Sequence, residues 1–166
     1  MTITEGLKKL KLIEKKFLKN RELIYKYAAI SSTEKPYFDN EKEQEKQVES
    51  LIQSNIDLAG EYSKLKQDID KTNLATEIEI MWKKDSIAWF ILQKRKLLEQ
   101  VKATYEQLND DNIKRRGAVA TVDWVQPTII RFYDEKDKNE KINAIVELQS
   151  EIDWQLEVIN ATTEIL

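Results

Sequence analysis

The sequence of 166 residues contains no cysteine and no histidine. Without cysteine there is no disulfide framework, no thiol nucleophile and no thiolate-bound metal. Without histidine there is no imidazole base, no Ser-His-Asp triad and no Glu-x-x-His site of the di-iron helical bundles. Because these absences remove most familiar catalytic centres, we expect a non-enzymatic protein with no cofactor and no metal.

Glycine, proline and long apolar runs are also scarce. Three glycines cannot form a phosphate-binding loop, and with only two prolines the composition favours long helices over a turn-rich β fold. The richest apolar run, Ile87–Leu92, is far shorter than the roughly 18 residues of a membrane span, and the N-terminus lacks the apolar core of a signal peptide. We therefore expect a cytoplasmic or virion protein with no signal peptide and no transmembrane segment.

Apolar residues at heptad spacing predict a first pair of long helices. A capping-box pattern at Thr2 and Glu5 begins a helix that runs to about Ala29. The segment 31–40 breaks the pattern, and the second helix then runs to about Lys71. We therefore predict a helical hairpin over residues 1–72.

The second half of the chain repeats this organisation. Thr76 and Glu79 form another capping-box pattern, which predicts the start of a third long helix. The β-branched segment 118–122 predicts a brief strand, after which Asp123 caps a fourth helix that runs to about Ile159. The predicted fold is mainly α: an elongated antiparallel bundle of four long helices, in one domain of residues 1–166, made of hairpins 1–72 and 76–160, with one short β segment near 118–122.

A short phrase occurs twice at the predicted ends of these hairpins. Residues 73–78 read Asn-Leu-Ala-Thr-Glu-Ile, and residues 160–165 read Asn-Ala-Thr-Thr-Glu-Ile. Asparagine tolerates the left-handed conformation that often follows a helix. We therefore predict helix-end turns at Asn73, Thr76, Asn160 and Thr163.

Charge is divided unevenly between the first two helices. Residues 1–30 carry eight Lys and Arg against three Asp and Glu, a net of +5, and residues 31–61 carry three against eight, a net of −5. A basic helix alone would suggest a nucleic acid or an anionic membrane, but an acidic neighbour favours pairing within the chain. Asn55 lies on the apolar stripe of the second helix, where it either fixes the register of that pair or sits at the stripe's edge.

The first half of the predicted third helix is apolar nearly all round. On a helical wheel Trp82 and Trp89 lie opposite Ile80 and Ile87, so the helix must be covered on more than one side. Burial by other helices of the chain is one explanation, and a subunit interface anchored by tryptophan is the other. We favour the interface, with the candidate residues Met81, Trp82, Trp89, Leu92 and Trp124.

Several short motifs spread along the chain resemble one family. They are Thr4-Glu5-Gly6-Leu7, Lys35-Pro36, 69–76, Lys83-Lys84-Asp85, Thr121-Val122-Asp123 and 160–164. Together they are similar to the septicolysin-like family of small helical bacterial proteins. The chain departs from that family at Ala161, where a tryptophan is usual, and in the highly charged segment 134–141. The resemblance implies a small helical protein, and the family label implies a cytolysin.

The leading hypothesis is a helical scaffold that self-assembles as a structural or interaction subunit, in a bacterial cell or a phage particle. Its expected partners are copies of itself or a larger protein assembly, with no nucleic acid, no small-molecule substrate and no favoured role for a membrane. The alternative is a membrane-active, cytolysin-like protein that uses the basic face of Lys8, Lys15, Lys19 and Lys26. A carboxylate-based enzyme is a more distant third hypothesis.

Overall fold

A computed structural model describes residues 1–115 and 128–166, which are mainly helical with a small two-stranded antiparallel sheet. The elements are α1 (Ile3–Tyr27), α2 (Glu41–Ala75), β1 (Glu77–Ile80), β2 (Lys83–Ser86), α3 (Ile87–Leu92), a π-helical segment (Gln93–Leu97), α4 (Leu98–Glu106), α5 (Asp111–Arg115) and α6 (Glu135–Thr162). They form two compact units, one of Met1–Thr76 with Val158–Leu166 and one of Glu77–Glu157. The β segment predicted at 118–122 lies outside the described residues.

The first unit is built on the antiparallel pair α1 and α2. The capping box predicted at the start of α1 is confirmed, because the Thr2 hydroxyl accepts a bond from the Glu5 N–H while the Glu5 carboxylate accepts one from the Thr2 N–H. The break predicted at 31–40 is also confirmed, and the Asn40 side chain caps α2 by accepting a bond from the Glu43 N–H. Local capping therefore sets where this pair begins and turns.

Polar contacts across the seam fix the register of the two helices. Asn20 Nδ2 donates to Asn55 Oδ1 at 3.0 Å and to Ser54 Oγ at 3.2 Å, in a half-buried part of the seam. Of the two interpretations of Asn55, this contact supports the one in which it fixes register, since a slipped pair would leave these amides without each other. On one side of the seam, Lys9 Nζ lies 2.7 Å from Glu61 Oε1, and this ion pair lowers the pKa of the Glu61 carboxyl.

Gln44 closes the loop end of the hairpin. Its Nε2 donates to the Tyr27 carbonyl at 2.7 Å, and its Oε1 accepts a bond from the Tyr37 N–H at 2.9 Å. The rings of Tyr37 and Phe38 both pack against Tyr27, with centroids 5.4 and 5.0 Å away. One buried glutamine thus ties the connection to the end of α1 and the start of α2.

The segments 1–6 and 163–166 meet at the opposite end, the base of the hairpin. The Ile3 N–H donates to the Thr163 carbonyl at 3.0 Å, and the Ile165 N–H donates to the Met1 carbonyl at 2.9 Å. The Leu166 N–H donates to the hydroxyl of Thr72, which is fully buried on α2. These bonds hold both segments against the end of α2.

Burial in this hairpin is concentrated at its base. The buried apolar residues are Ile3, Leu10, Ile13, Leu65 and Ile69. Among the described residues, none of α1 from 14 to 27 is buried. Between 41 and 64 of α2, Gln44 alone is buried. The half of the pair next to the loop, which we call the distal half, therefore keeps its seam only half covered.

In the second unit, the prediction of one long third helix from Thr76 is wrong. Thr76 is the C-terminal cap of α2, and Glu79 belongs to β1. The physical reason is the strict alternation of Glu and Ile over 77–80, which has the two-residue period of a strand and here prevails over the heptad pattern. Helix begins at Ile87, and a π-helical segment at 93–97 interrupts it before α4.

The helical stretch 87–106 runs antiparallel to α6 through polar contacts. Lys94 forms an ion pair with Asp153, and the Gln149 amide donates to the Glu99 carboxylate at 2.7 Å. The predicted fourth helix is present but starts later than Asp123 suggested, because residues 128–134 are not helical. The described helix begins at Glu135, in the highly charged segment 134–141, most of whose residues are exposed.

Glycine at position 6 is required where the base of the hairpin closes. A β-carbon there would lie 2.5 Å from Ile165 Cδ1 and 3.1 Å from Ile69 Cδ1, whereas one at Gly60 on α2 would meet nothing within 4 Å. Gly60→Ala should raise the free energy of unfolding by up to about 1 kcal/mol through helix propensity. Gly6→Ala should lower it by about 1 kcal/mol, because displacing two packed methyl groups outweighs the same gain. Urea unfolding followed by circular dichroism measures both, and equal stabilisation by the two variants would contradict this packing.

Candidate interaction site

Strands β1 and β2 form a hairpin with a two-residue turn. Ile80 pairs with Lys83, so Met81 and Trp82 are the turn residues, with φ of +48° and +69°. Two positive φ values define a type I′ turn, which strongly favours Asn-Gly or Asp-Gly. Left-handed backbone costs other residues roughly 1–2 kcal/mol each. A methionine and a tryptophan therefore occupy a turn that suits neither of them.

These two residues, which we call the hairpin tip, are also strongly exposed. The Trp82 side chain is 95% accessible and Met81 is 58% accessible. A large indole held away from the protein contributes little to its own fold, whereas tryptophan is a favoured anchor in protein interfaces. The hairpin tip therefore combines an unfavourable backbone conformation with unfavourable exposure of apolar side chains to water. Such a combination points to a functional site.

The strands below the hairpin tip present two lysines. Lys84 Nζ lies 2.9 Å from Glu77 Oε2 on the paired strand, and this contact raises the pKa of the Lys84 ammonium group. Lys83 Nζ lies 5.1 Å from the centre of the Trp89 ring. Each lysine is thus held beside a neighbour on the strand or helix below.

Helix α3 supports the hairpin from the other end of β2. The Ser86 hydroxyl caps it by accepting a bond from the Trp89 N–H at 3.2 Å. Ile87 and Phe90 are buried, and the half-buried Trp89 ring packs edge-on against Phe90 with centroids 4.9 Å apart. The buried side of this short helix fixes the hairpin from which the tip projects.

The five predicted interface residues do not share one helix face. Met81 and Trp82 lie together at the hairpin tip, Trp89 and the exposed Leu92 lie on α3, and Trp124 lies outside the described residues. Sequence reasoning missed the strand lysines as neighbours of this site, because it placed them on a helix. The signal that could have found them is the Glu-Ile alternation just before the turn.

The predicted helix-end turns lie in the first unit. Thr76 and Thr163 each follow a helix and donate their N–H to the carbonyl four residues earlier. Asn73 and Asn160 are still helical, each two residues before the last helical residue. The prediction that they adopt a left-handed turn is therefore wrong. The side-chain oxygens of both asparagines are buried and have no hydrogen-bond partner among the described residues. The repeated phrase therefore marks a shared helix ending, after which the backbone becomes extended.

Two further features of the described residues concern ligands and membranes. Over residues 1–115 and 128–166, no group of three or more acidic residues is placed to hold a metal ion. In the same part of the chain, no helix is both long and apolar enough to cross a membrane.

Comparison with known proteins gives one informative structural likeness. No family model and no curated protein matches the chain. A crystal structure of a functionally unknown conserved protein from Corynebacterium diphtheriae is similar over 100% of this chain and 99% of its own, with a TM-score of 0.69 and 15% sequence identity. At that identity the likeness concerns the fold alone.

The strain in the turn can be tested by two substitutions at one position. Trp82→Asn should raise the free energy of unfolding by about 0.5–1 kcal/mol, because asparagine tolerates the left-handed region. Trp82→Val should lower it by about 1 kcal/mol, because a β-branched side chain is poorly suited to positive φ. Both remove the same exposed indole, so opposite signs in urea unfolding would isolate the backbone effect. Equal effects from the two variants would contradict a strained turn.

Proposed function

We propose that this protein is a non-enzymatic helical subunit that assembles with copies of itself, and that the hairpin tip anchors this assembly. The role is structural or interactive, in a bacterial cell or a phage particle. The resemblance to the septicolysin-like family of small helical proteins agrees with a compact helical subunit of this kind.

The observation that supports this proposal is the exposed indole of Trp82 on a strained turn. Removing Trp82 from water in an interface would bury one of the largest apolar side chains, and tryptophan is enriched among the residues that dominate binding energy. The type I′ turn also limits the freedom of the hairpin tip before binding, which reduces the entropy lost on association.

The charged groups of the described chain support the non-enzymatic part of the proposal. Shifted pKa values are found for Glu61, Tyr62, Lys84, Arg131 and Glu135, among others. In each case a hydrogen bond to a nearby charged side chain is the largest cause, as for Arg131 beside Asp110 at 2.8 Å. Surface pairs of this kind are ordinary in structural proteins, whereas active sites combine burial with a specific charge partner.

Assembly and its dependence on the hairpin tip can be measured together. Wild type should have an average mass above that of a monomer across the micromolar range, and Trp82→Asn should have a lower average mass at each concentration. Trp154→Gln is the matched control, because Trp154 is a second strongly exposed tryptophan of the same unit, on α6. Multi-angle light scattering gives the masses. A monomeric wild type would contradict self-assembly, and equal masses of wild type and Trp82→Asn would contradict the role of the hairpin tip.

The basic face of α1 favours a second candidate, a protein that acts at an anionic membrane surface. Lys8, Lys15 and Lys19 are all exposed, as is Lys26, whose ammonium group lies 5.2 Å from the Tyr37 ring centre. Lysines aligned on one helix face bind anionic lipid headgroups through charge attraction.

This second candidate predicts co-sedimentation with phosphatidylserine vesicles, but not with neutral phosphatidylcholine vesicles. Reversing two of the lysines, in Lys15→Glu/Lys19→Glu, should abolish the binding, and raised salt should weaken it by screening. The protein staying in the supernatant with anionic vesicles at low salt would remove the candidate.

A further inference from the structure

The distal half of the α1–α2 hairpin carries four exposed apolar side chains. They are Leu18 and Tyr25 on α1, and Ile52 and Ile56 on α2, with Tyr25 90% accessible. The seam between the helices is itself only half-buried here. These exposed side chains therefore continue an apolar core that is not fully covered.

The four residues lie on the same side of the hairpin. The Lys9–Glu61 ion pair marks one side of the seam. Leu18 is nine residues from Lys9, and Ile52 is nine residues from Glu61, which is two and a half turns of helix in each case. Both therefore face away from the ion pair, on the side where Tyr62 Oη donates to the Glu14 carboxylate.

Their positions along the helices also match. Tyr25 follows Leu18 by seven residues and Ile56 follows Ile52 by four, so each pair shares its helix face. The Asn20–Asn55 hydrogen bond sets the two pairs side by side, because it lies between Leu18 and Tyr25 on α1 and between Ile52 and Ile56 on α2. We call the surface formed by these four residues the side face; Arg21 and Glu22 line the same surface beside Leu18 and Tyr25.

The side face can pack against a second copy of itself. A two-fold axis parallel to the helices places base over base and loop over loop, and lays α1 of each copy over α2 of the other. Leu18 and Tyr25 then lie over Ile56 and Ile52 of the other copy, because Asn20 and Asn55 share a level in the hairpin.

The net charges of the two helices are also complementary in this arrangement. α1 carries eight Lys and Arg against three Asp and Glu, a net of +5, whereas α2 carries five against eight, a net of −3. The same two-fold rotation lays α1 of one copy over α2 of the other. Each basic helix then has acidic helices on both sides, as in an ordinary four-helix bundle.

We propose that the side face binds a second copy of this chain, and that the two α1–α2 hairpins form an intermolecular four-helix bundle with α1 of each copy against α2 of the other. This inference rests on the proposed self-assembly but uses a surface separate from the hairpin tip. The dimer is the unit that the hairpin tips would link into larger assemblies.

The test uses the Trp82→Asn background, in which assembly through the hairpin tip is removed. Sedimentation equilibrium should find a dimer in this background. Adding Leu18→Glu should raise its dissociation constant at least about a hundredfold, since each dimer would bury two carboxylates in apolar surroundings. Leu12→Glu is the matched control and should leave the dimer intact, because Leu12 lies on the same helix with similar exposure, 53% against 57%, but faces another direction.

The outcomes separate this inference from the proposed function. A monomeric Trp82→Asn protein beside an assembled wild type would overturn the side face while leaving the hairpin tip as the anchor. Equal effects of Leu18→Glu and Leu12→Glu would also overturn it. A dimer of unchanged mass in wild type and Trp82→Asn would overturn only the role of the hairpin tip.

Discussion

The first unit depends on the hydrogen bonds that hold segments 1–6 and 163–166 against the end of α2. Two backbone bonds join Ile3 to Thr163 and Ile165 to Met1, and the buried Thr72 hydroxyl accepts a third bond from Leu166. Because these segments cover the base of the hairpin, the buried apolar residues collect there. The closure is tight at Gly6, where the missing β-carbon leaves room for the Ile165 side chain. Closure at the base fixes the beginning of α1 and the end of α2, and it leaves the distal half with a single seam.

Two surfaces conflict with the usual preferences of their residues. At the hairpin tip, Met81 and Trp82 adopt a turn that disfavours them and expose their apolar side chains. On the side face, apolar residues border a half-buried seam between helices of opposite charge. Native sequences tolerate such local conflicts where a partner compensates for them. We propose that both surfaces are parts of an assembly, in which the side face forms a dimer and the hairpin tip joins further subunits.

Much of the first unit could be predicted from the sequence, and less of the second. Heptad spacing, the capping box at Thr2 and the break before Asn40 locate α1 and α2, because capping and periodicity act locally. The third helix was misplaced because Ile80 and Ile87 fit a heptad while residues 77–80 equally fit a strand, and a four-residue strand gives only a weak signal. The tip turn carries no Asn-Gly signature, so its position follows only from strand pairing. The exposure of Leu18 and Ile52 could not be predicted either. An apolar stripe shows which residues another element could cover, but it does not show whether any element of the chain covers them.

Amide hydrogen exchange at several protein concentrations tests most directly whether a second copy covers the distal half of the hairpin. If the side face forms the dimer, amides in the distal parts of α1 and α2 should become better protected as concentration rises through the dimer dissociation constant. Amides near Ile3 and Ile69 at the base should keep the same protection, because their burial lies within one chain. Distal amides whose exchange does not change with concentration would contradict the four-helix arrangement.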